Sequence, residues 1–205
     1  MATLTFFVGP AAAGKTTLAK RLAAKRRSAF FDMDTLLRPA AEKIMELSGL
    51  DPADRDSAEY KVRCRDLGYR ITMDAALENI ALGIDAVVVG PFTQETEDPG
   101  WIGKELERIG ASLSAVEVRA VYVYLPAEED YAERLRGRGS PLDEWKLEHW
   151  DDFRRSLRRR EIRWAIPASS VLRFDNSAPL TDGRLAELEH FVYGRPSGGE
   201  LERHP

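Results

Sequence analysis

Eight residues constrain this chain more than any others: Gly9-Pro10-Ala11-Ala12-Ala13-Gly14-Lys15-Thr16 matches G-x-x-x-x-G-K-[ST] at every fixed position. The run before it, Thr3–Val8, is apolar and β-branched and reads as a strand. The run after it, Gly14–Lys25, carries Leu18 and Leu22 on one face and reads as a helix. In a strand-to-helix turn of this kind the glycines let the backbone curl, so that successive N–H groups point inward at phosphate oxygens. The helix adds the positive end of its dipole. Lys15 is then placed to reach the β- and γ-phosphates of a nucleotide, and Thr16 to ligate Mg²⁺ through its hydroxyl. The small side chains of Ala11, Ala12 and Ala13 keep such a cradle open. The pattern points to nucleotide binding and does not separate a kinase from an ATPase or a GTPase.

Four further β-rich runs follow, at Ala29–Phe31, Ala86–Val89, Val118–Leu125 and Val171–Phe174. Helical patterns lie between and after them, at Thr35–Leu47, Asp56–Leu82, Asp98–Leu113, Glu128–Arg136, Leu142–Arg163 and Thr181–Tyr193. Asp98 is expected to N-cap its helix, with Pro99 in the first turn. The long Asp56–Leu82 pattern has Tyr60, Cys64, Leu67, Ile71 and Ala75 along one side. Alternation of short strands with helices predicts an α/β fold, a five-stranded parallel sheet with helices on both faces, in three layers. One domain over residues 1–194 is expected, then a tail over 195–205 rich in Gly, Pro and charge. Ligands of such sheets bind at the carboxyl ends of the strands, here just after Val8, Phe31, Val89, Leu125 and Phe174.

Composition narrows the classes. The net charge of −4 argues against a chain built mainly to coat nucleic acid, so nucleic acid is an unexpected partner. A single cysteine, Cys64, permits no internal disulfide and suits a reducing compartment. Met1–Val8 lacks the basic start and long apolar stretch of a secretion signal. No run approaches the ~20 apolar residues needed to cross a bilayer. The expectation is a soluble cytoplasmic protein without a membrane partner.

No Asn-Lys-x-Asp guanine reader is present, and the third strand ends Val87-Val88-Val89-Gly90-Pro91-Phe92 with no acid; Asp85 lies at its other end. A carboxylate for the metal side must come from elsewhere, and Asp32-Met33-Asp34 follows the second strand directly. In extended backbone, residues i and i+2 project to one side. Asp32 and Asp34 would then point together at the phosphate loop, one holding Mg²⁺ through water and the other accepting a proton from an acceptor hydroxyl. The plainer alternative is that Asp34 N-caps the helix from Thr35. Arg134-Leu135-Arg136-Gly137-Arg138-Gly139-Ser140-Pro141 reads as a lid whose arginines, Arg134 and Arg138 first among them, close over the transferred group; a solvated basic loop is the alternative.

On these residues the chain resembles the small P-loop kinases, the group that includes zeta-toxin, chloramphenicol phosphotransferase, gluconate and shikimate kinases and the polynucleotide kinase domain, and it looks similar to AAA_33 ATP-binding proteins. The resemblance rests on Gly9–Thr16, Asp32-x-Asp34, Gly90-Pro91-Phe92, Arg134 with Arg138, and Asp175-Asn176-Ser177. It implies a P-loop NTPase fold, ATP and Mg²⁺ as cofactors, Lys15, Asp32, Asp34, Arg134 and Arg138 as catalytic residues, Thr16 and Asp32 as the metal side, and Thr17 and Asn176 beside Gly9–Thr16 around the nucleotide. It implies an acceptor flap over 35–82 and a lid over 134–142, where Leu142-Asp143 stands in place of the Arg-Asp pair of many relatives. It implies an acid after the second strand acting on the acceptor hydroxyl.

The flap stretch offers Arg38, Arg55, Lys61, Arg63, Arg65 and Arg70 with Tyr60 and Tyr69; the expectation is a charged outer helix face, with a grip on an anionic acceptor as the second reading. Phe92, Thr93, Gln94 and Glu95 are expected to border the acceptor pocket. Arg154, Arg155, Arg158, Arg159, Arg160 and Arg163 interleave with acids at helical spacing and read as a salt-bridged helix whose tryptophans pack inward. The functional expectation is an ATP-dependent kinase acting on a hydroxyl of a small molecule, with Asp34 as base. A polynucleotide 5′-hydroxyl kinase and a non-catalytic ATP-dependent switch are the alternatives.

Overall fold

The computed structural model describes residues 1–140, 143–158 and 160–194. Five strands, β1 (Thr3–Val8), β2 (Ala29–Asp32), β3 (Ala86–Val89), β4 (Glu117–Tyr124) and β5 (Val171–Asp175), form one sheet in the order β2-β3-β1-β4-β5, every neighbouring pair parallel. β1 lies at the centre, with Phe6 level with Val88 on one side and Ala120 on the other. Parallel strands buried on both faces need apolar residues at every position, and all of β1 and β3 is buried.

Alternation along β1 splits the core in two. Leu4, Phe6 and Val8 face one layer with Met73 and Leu77 of α4 (Asp66–Ala81) and Ile102 and Leu106 of α5 (Trp101–Glu107). Phe7 faces the other with Leu18 and Leu22 of α1 (Lys15–Arg26), Leu135 of α6 (Glu128–Arg138), Phe153 of α8 (Trp150–Ser156), and Leu188 and Val192 of α9 (Asp182–Tyr193). The three-layer α/β fold read from the sequence is the fold observed. Buried Glu189 of α9 meets Arg26 at 2.9 Å and also pairs with Lys25, tying α9 to the end of α1. None of the helices among the described residues is long and apolar enough to cross a membrane.

Three helical expectations change. The Asp56–Leu82 pattern is not one regular helix but α3 (Ala58–Tyr60), a π-helical turn (Lys61–Arg65) and α4. The wider turn sends Cys64 into a small core with Leu37, Ala41 and Met45 of α2 (Met33–Leu47), and puts Tyr69, Met73, Ala76, Leu77 and Ile80 against the sheet. A uniform 3.6-residue period cannot serve both cores. Asp98 does not cap α5: its carboxylate accepts from Gly100 N at 2.9 Å, and the helix begins at Trp101.

The stretch expected as one helix over 142–163 is α7 (Glu144–Glu148), a break at His149, then α8, which ends at Ser156; residues 141, 142 and 159 and the tail expected over 195–205 lie outside the described residues. The reason is that Phe153 and Leu157 belong to one layer of the core while Trp164 belongs to the other, so the chain must leave the helix and cross. Arg163 N donates to Thr96 O at 2.8 Å and Ala165 N to Pro99 O at 3.1 Å along this crossing. Trp164 packs edge-on against Phe6 at 4.8 Å between ring centroids, stacks on Trp101 at 5.4 Å, and donates from Nε1 to Glu95 O at 2.7 Å.

Trp164→Ala is expected to cost about 3–5 kcal/mol of stability by urea denaturation. Trp145→Ala, at an exposed ring stacked only on His149, is expected to stay within about 0.5 kcal/mol of wild type.

Candidate active site

The loop after β1 is shaped by two glycines. Gly9 has φ +131°, and a Cβ there would lie 2.2 Å from Val123 O of β4. Gly14 has φ +93°, and a Cβ there would lie 2.3 Å from the Asn176 side-chain amide. Both positions are closed to other side chains by conformation and by space. Between them Ala12 also takes a positive φ, 63°. The resulting loop turns its backbone toward a hollow at the start of α1, with Lys15 folded over it so that Nζ donates to Pro10 O at 2.7 Å.

Asp32, the last residue of β2, has both carboxylate oxygens engaged. Oδ2 accepts from the Thr16 hydroxyl at 2.9 Å. Oδ1 accepts from Asp34 N at 3.0 Å and Thr35 N at 3.4 Å, so Asp32 rather than Asp34 is the N-cap of α2. This corrects the capping alternative for Asp34 and leaves its carboxylate free to face the cleft. Thr16 and Asp32 together present hard oxygen donors, a set that suits Mg²⁺.

Asp34 is open to the water of the cleft yet surrounded by protein below its rim. Burial, and then repulsion from Asp32, raise its carboxyl above the usual range, against the pull of Lys15, Lys146 and Arg138. Lys15 moves the other way: burial lowers its ammonium from 10.5 to about 8, although Asp34 and Asp32 favour the charged form. The two groups are thus both shifted toward neutrality, burial acting alike on opposite charges.

Arg134 and Arg138 share a helix but not a destination. Arg134 donates to Ala13 O at 3.2 Å and to Asn176 O, while Asn176 Nδ2 donates to Ala13 O at 2.8 Å. Both therefore buttress the phosphate loop from the side of β5. With Gly14, Thr17, Ser177, Ala178 and Pro179 they line a hollow of about 350 Å³. Arg138 turns instead to Asp143 at 3.3 Å, and both line the larger cavity with Lys15. The helix carrying both arginines runs through Gly137 and ends at Arg138, past the expected end at Arg136.

A larger cavity of about 610 Å³ opens from Gly14, Lys15 and Thr16 past Asp32 and Asp34 to the flap. Its walls include Arg38, Arg55, Tyr60, Lys61, Arg65 and Tyr69 from 35–82, and Gly90, Pro91 and Thr93 after β3. Several flap cations expected on an outer helix face thus line a cavity; Arg70 does not, and pairs with Asp74 at 2.8 Å and Glu105 at 2.7 Å. Gln94 is not part of the wall, Glu95 pairs with Arg65 at 3.5 Å, and Phe92 is buried at φ +43° among Phe6, Tyr69 and Trp101. Burial pushes the Tyr60 and Tyr69 phenols up to about 12.

Lys146, Asp143 and Asp56 also line this cavity and were not foreseen as site residues. Lys146 reaches Asp56 at 2.9 Å and Asp143 at 3.7 Å. No signal within one sequence joins positions 90 apart; only the fold does. The basic run after α7 behaves locally as read, with Arg154 paired to Asp151 at 3.4 Å and Arg155 to Asp152 at 3.1 Å.

Comparison with known proteins agrees with this architecture. The cytidylate kinase of Methylocella silvestris is 26% identical over 197 residues, covering 88% of this chain and 86% of that protein. The cytidylate kinase of Paramagnetospirillum magneticum is 44% identical over 63 residues, covering 31% of this chain and 29% of that protein. Among solved structures, a sugar kinase from a Janibacter species superposes with a TM-score of 0.57 at 16% identity, covering 94% of both chains. The tunicamycin resistance protein of Deinococcus radiodurans superposes with a TM-score of 0.55 at 18% identity, covering 95% of this chain and 97% of its own. A family model described as an AAA domain matches residues 4–160. With that match over most of its length and a phosphate loop of this geometry at the head of a parallel sheet, the chain belongs to the AAA domain family AAA_33, with the fold of P-loop kinases.

Proposed function

We propose that this protein transfers the γ-phosphate of ATP, with Mg²⁺, to a hydroxyl group of a small molecule such as a metabolite, antibiotic, sugar or nucleoside, with Asp34 as the general base. The observation that carries the reading is the position of Asp34 beside Lys15, where the phosphate cradle opens into the flap cavity. Gly9–Thr17 hold the triphosphate, and the hollow beside Asn176 takes the rest of the nucleotide. Thr16 and Asp32 hold Mg²⁺, which neutralises phosphate charge when bound.

Lys15 exchanges its contact with Pro10 O for the phosphates. Arg138 lies near enough to Lys15 and Asp34 to follow charge onto the transferred group. Arg134 acts at one remove, by holding Ala13 and Asn176 in place. Asp34 takes the proton of the acceptor hydroxyl as that oxygen bonds to the γ-phosphorus and the bond to ADP breaks. Its raised pKa makes it a stronger base than an ordinary carboxylate. A need for ATP and a lone buried cysteine suit the cytoplasm.

A second reading, in which the acceptor is the phosphate of a nucleotide, draws on the likeness to cytidylate kinases. There the acceptor offers no hydroxyl proton for Asp34 to take.

Purified protein with Mg²⁺ and γ-labelled ATP would meet pools of metabolites, nucleosides, antibiotics, cytidylate and oligonucleotides. Label is expected in one small-molecule pool, absent with Lys15→Ala, and slowed about 10²- to 10⁴-fold by Asp34→Asn. Label confined to cytidylate or to oligonucleotides would overturn the small-molecule hydroxyl reading.

The lowered pKa of Lys15 yields a separate prediction. Phosphate favours the charged ammonium and so raises its pKa on binding. Below pH 8 the group is already charged and little proton is exchanged; at pH 8 ATP binding takes up about half a proton, and affinity falls as pH rises further. Calorimetry in buffers of different ionisation enthalpy reads this uptake, which is expected to vanish in Lys15→Met.

A further inference from the structure

The cations around the flap end of the cavity fall into two sets. Arg55 is held by Glu42 at 3.3 Å and by the carbonyls of Pro52 and Asp54, both at 2.6 Å. Arg65 is held by Thr93 at 3.3 Å and Glu95 at 3.5 Å, and lies over the Tyr69 ring at 5.2 Å. Lys146 is held by Asp56 and Asp143. These side chains are wall, with their charges compensated inside it. Arg38 and Lys61 differ: both line the cavity, both are exposed, and neither side chain has a hydrogen-bond or ion-pair partner among the described residues.

Their placement is specific. Arg38 stands four residues after Asp34 on α2, so the two share a helix face about one turn apart. Lys61 opens the π-helical turn, and it and Arg65, four residues on, both line the cavity while Cys64 is buried. A regular α-helical turn would set Cys64, not Arg65, in line with Tyr60. Two separate elements thus aim uncompensated positive charge into one concave site next to the proposed base. A cleft of that kind concentrates anions, and a guanidinium with its donors unused is suited to a carboxylate or a phosphate.

We infer that the acceptor carries, apart from the oxygen that receives the phosphoryl group, a second and anionic group, a carboxylate or a phosphate, bound by Arg38 and Lys61. This rests on the phosphotransferase reading above and narrows its substrate class to acidic small molecules.

The test uses matched probes: glucose and gluconate, glycerol and glycerol 3-phosphate, cytidine and cytidylate. Each is titrated into protein already loaded with Mg²⁺ and adenylyl imidodiphosphate, so that the nucleotide site is filled. At least one anionic member is expected to bind about ten-fold or more tightly than its neutral partner, with the carboxylate and phosphate pairs reporting which anion fits. Arg38→Gln and Lys61→Gln are each expected to weaken that binding on the order of ten-fold, and Arg38→Lys to keep most of it. Both positions are exposed, so unliganded unfolding midpoints should match wild type and exclude misfolding.

Equal binding of neutral and anionic members, no binding of any anion, or wild-type affinity in both glutamine variants overturns the inference. Phosphoryl transfer to the same probes separates it from the reading beneath it. Transfer to neutral probes, unaffected by Arg38→Gln, removes the anion site and leaves the kinase. Anion binding that is lost in Arg38→Gln, with no transfer to any probe, keeps the site and counts against hydroxyl transfer.

Discussion

One carboxylate joins the two halves of this site. Asp32 takes a hydrogen bond from Thr16 on one oxygen and caps α2 with the other. The phosphate loop grows out of β1 and the flap out of β2, and β3 lies between those strands in the sheet. Without a link at their carboxyl ends, the loop and the flap would be positioned only through β3. With it, the start of α1 and the start of α2 are fixed relative to each other by groups at hydrogen-bond distance. Asp34, two residues on, inherits that position. A buried carboxylate accepting three hydrogen bonds is well satisfied, and its charge adds to the burial that raises the Asp34 carboxyl.

The legible part of the sequence is the part governed by local rules. The strands lie within a residue of their expected bounds because chains buried on both faces leave little choice of residue. The phosphate loop is legible because its glycines, lysine and threonine are each required by the local backbone. The Asp32-x-Asp34 pair is locatable, but its division of labour is not: the helix starts two residues earlier than its pattern suggests, and the first acid becomes the cap. Helix breaks were the failures. The π turn at Lys61–Arg65 and the break at His149 answer to tertiary demands, one core for Cys64 and another for Met73, one layer for Phe153 and the other for Trp164. Arg134 and Arg138 teach the same lesson in miniature. Four-residue spacing gives a common face, but long side chains from that face reach different partners, Ala13 and Asn176 for one and Asp143 for the other.

Electrostatics then sorts the cavity into parts. Acids gather on the nucleotide side, at Asp32 and Asp34, while the flap contributes mainly bases. Two of those four bases, Arg55 and Arg65, are paired with neighbours within the wall, so formal charge overstates what a ligand would meet. The charge that remains is set by which side chains have no partner. Counting residue types in the flap gave no way to see this, since Arg70 and Arg38 look alike in sequence and meet opposite environments.

The contact between Lys146 and Asp56 joins two parts of the cavity wall that lie 90 residues apart in the chain. Lys146 belongs to α7, Asp56 to the approach to α3, and each reaches the sheet by its own route. Both side chains line the cavity, and the ion pair holds the two elements to each other there. The separation of the two walls therefore depends on one ion pair between positions far apart in the chain.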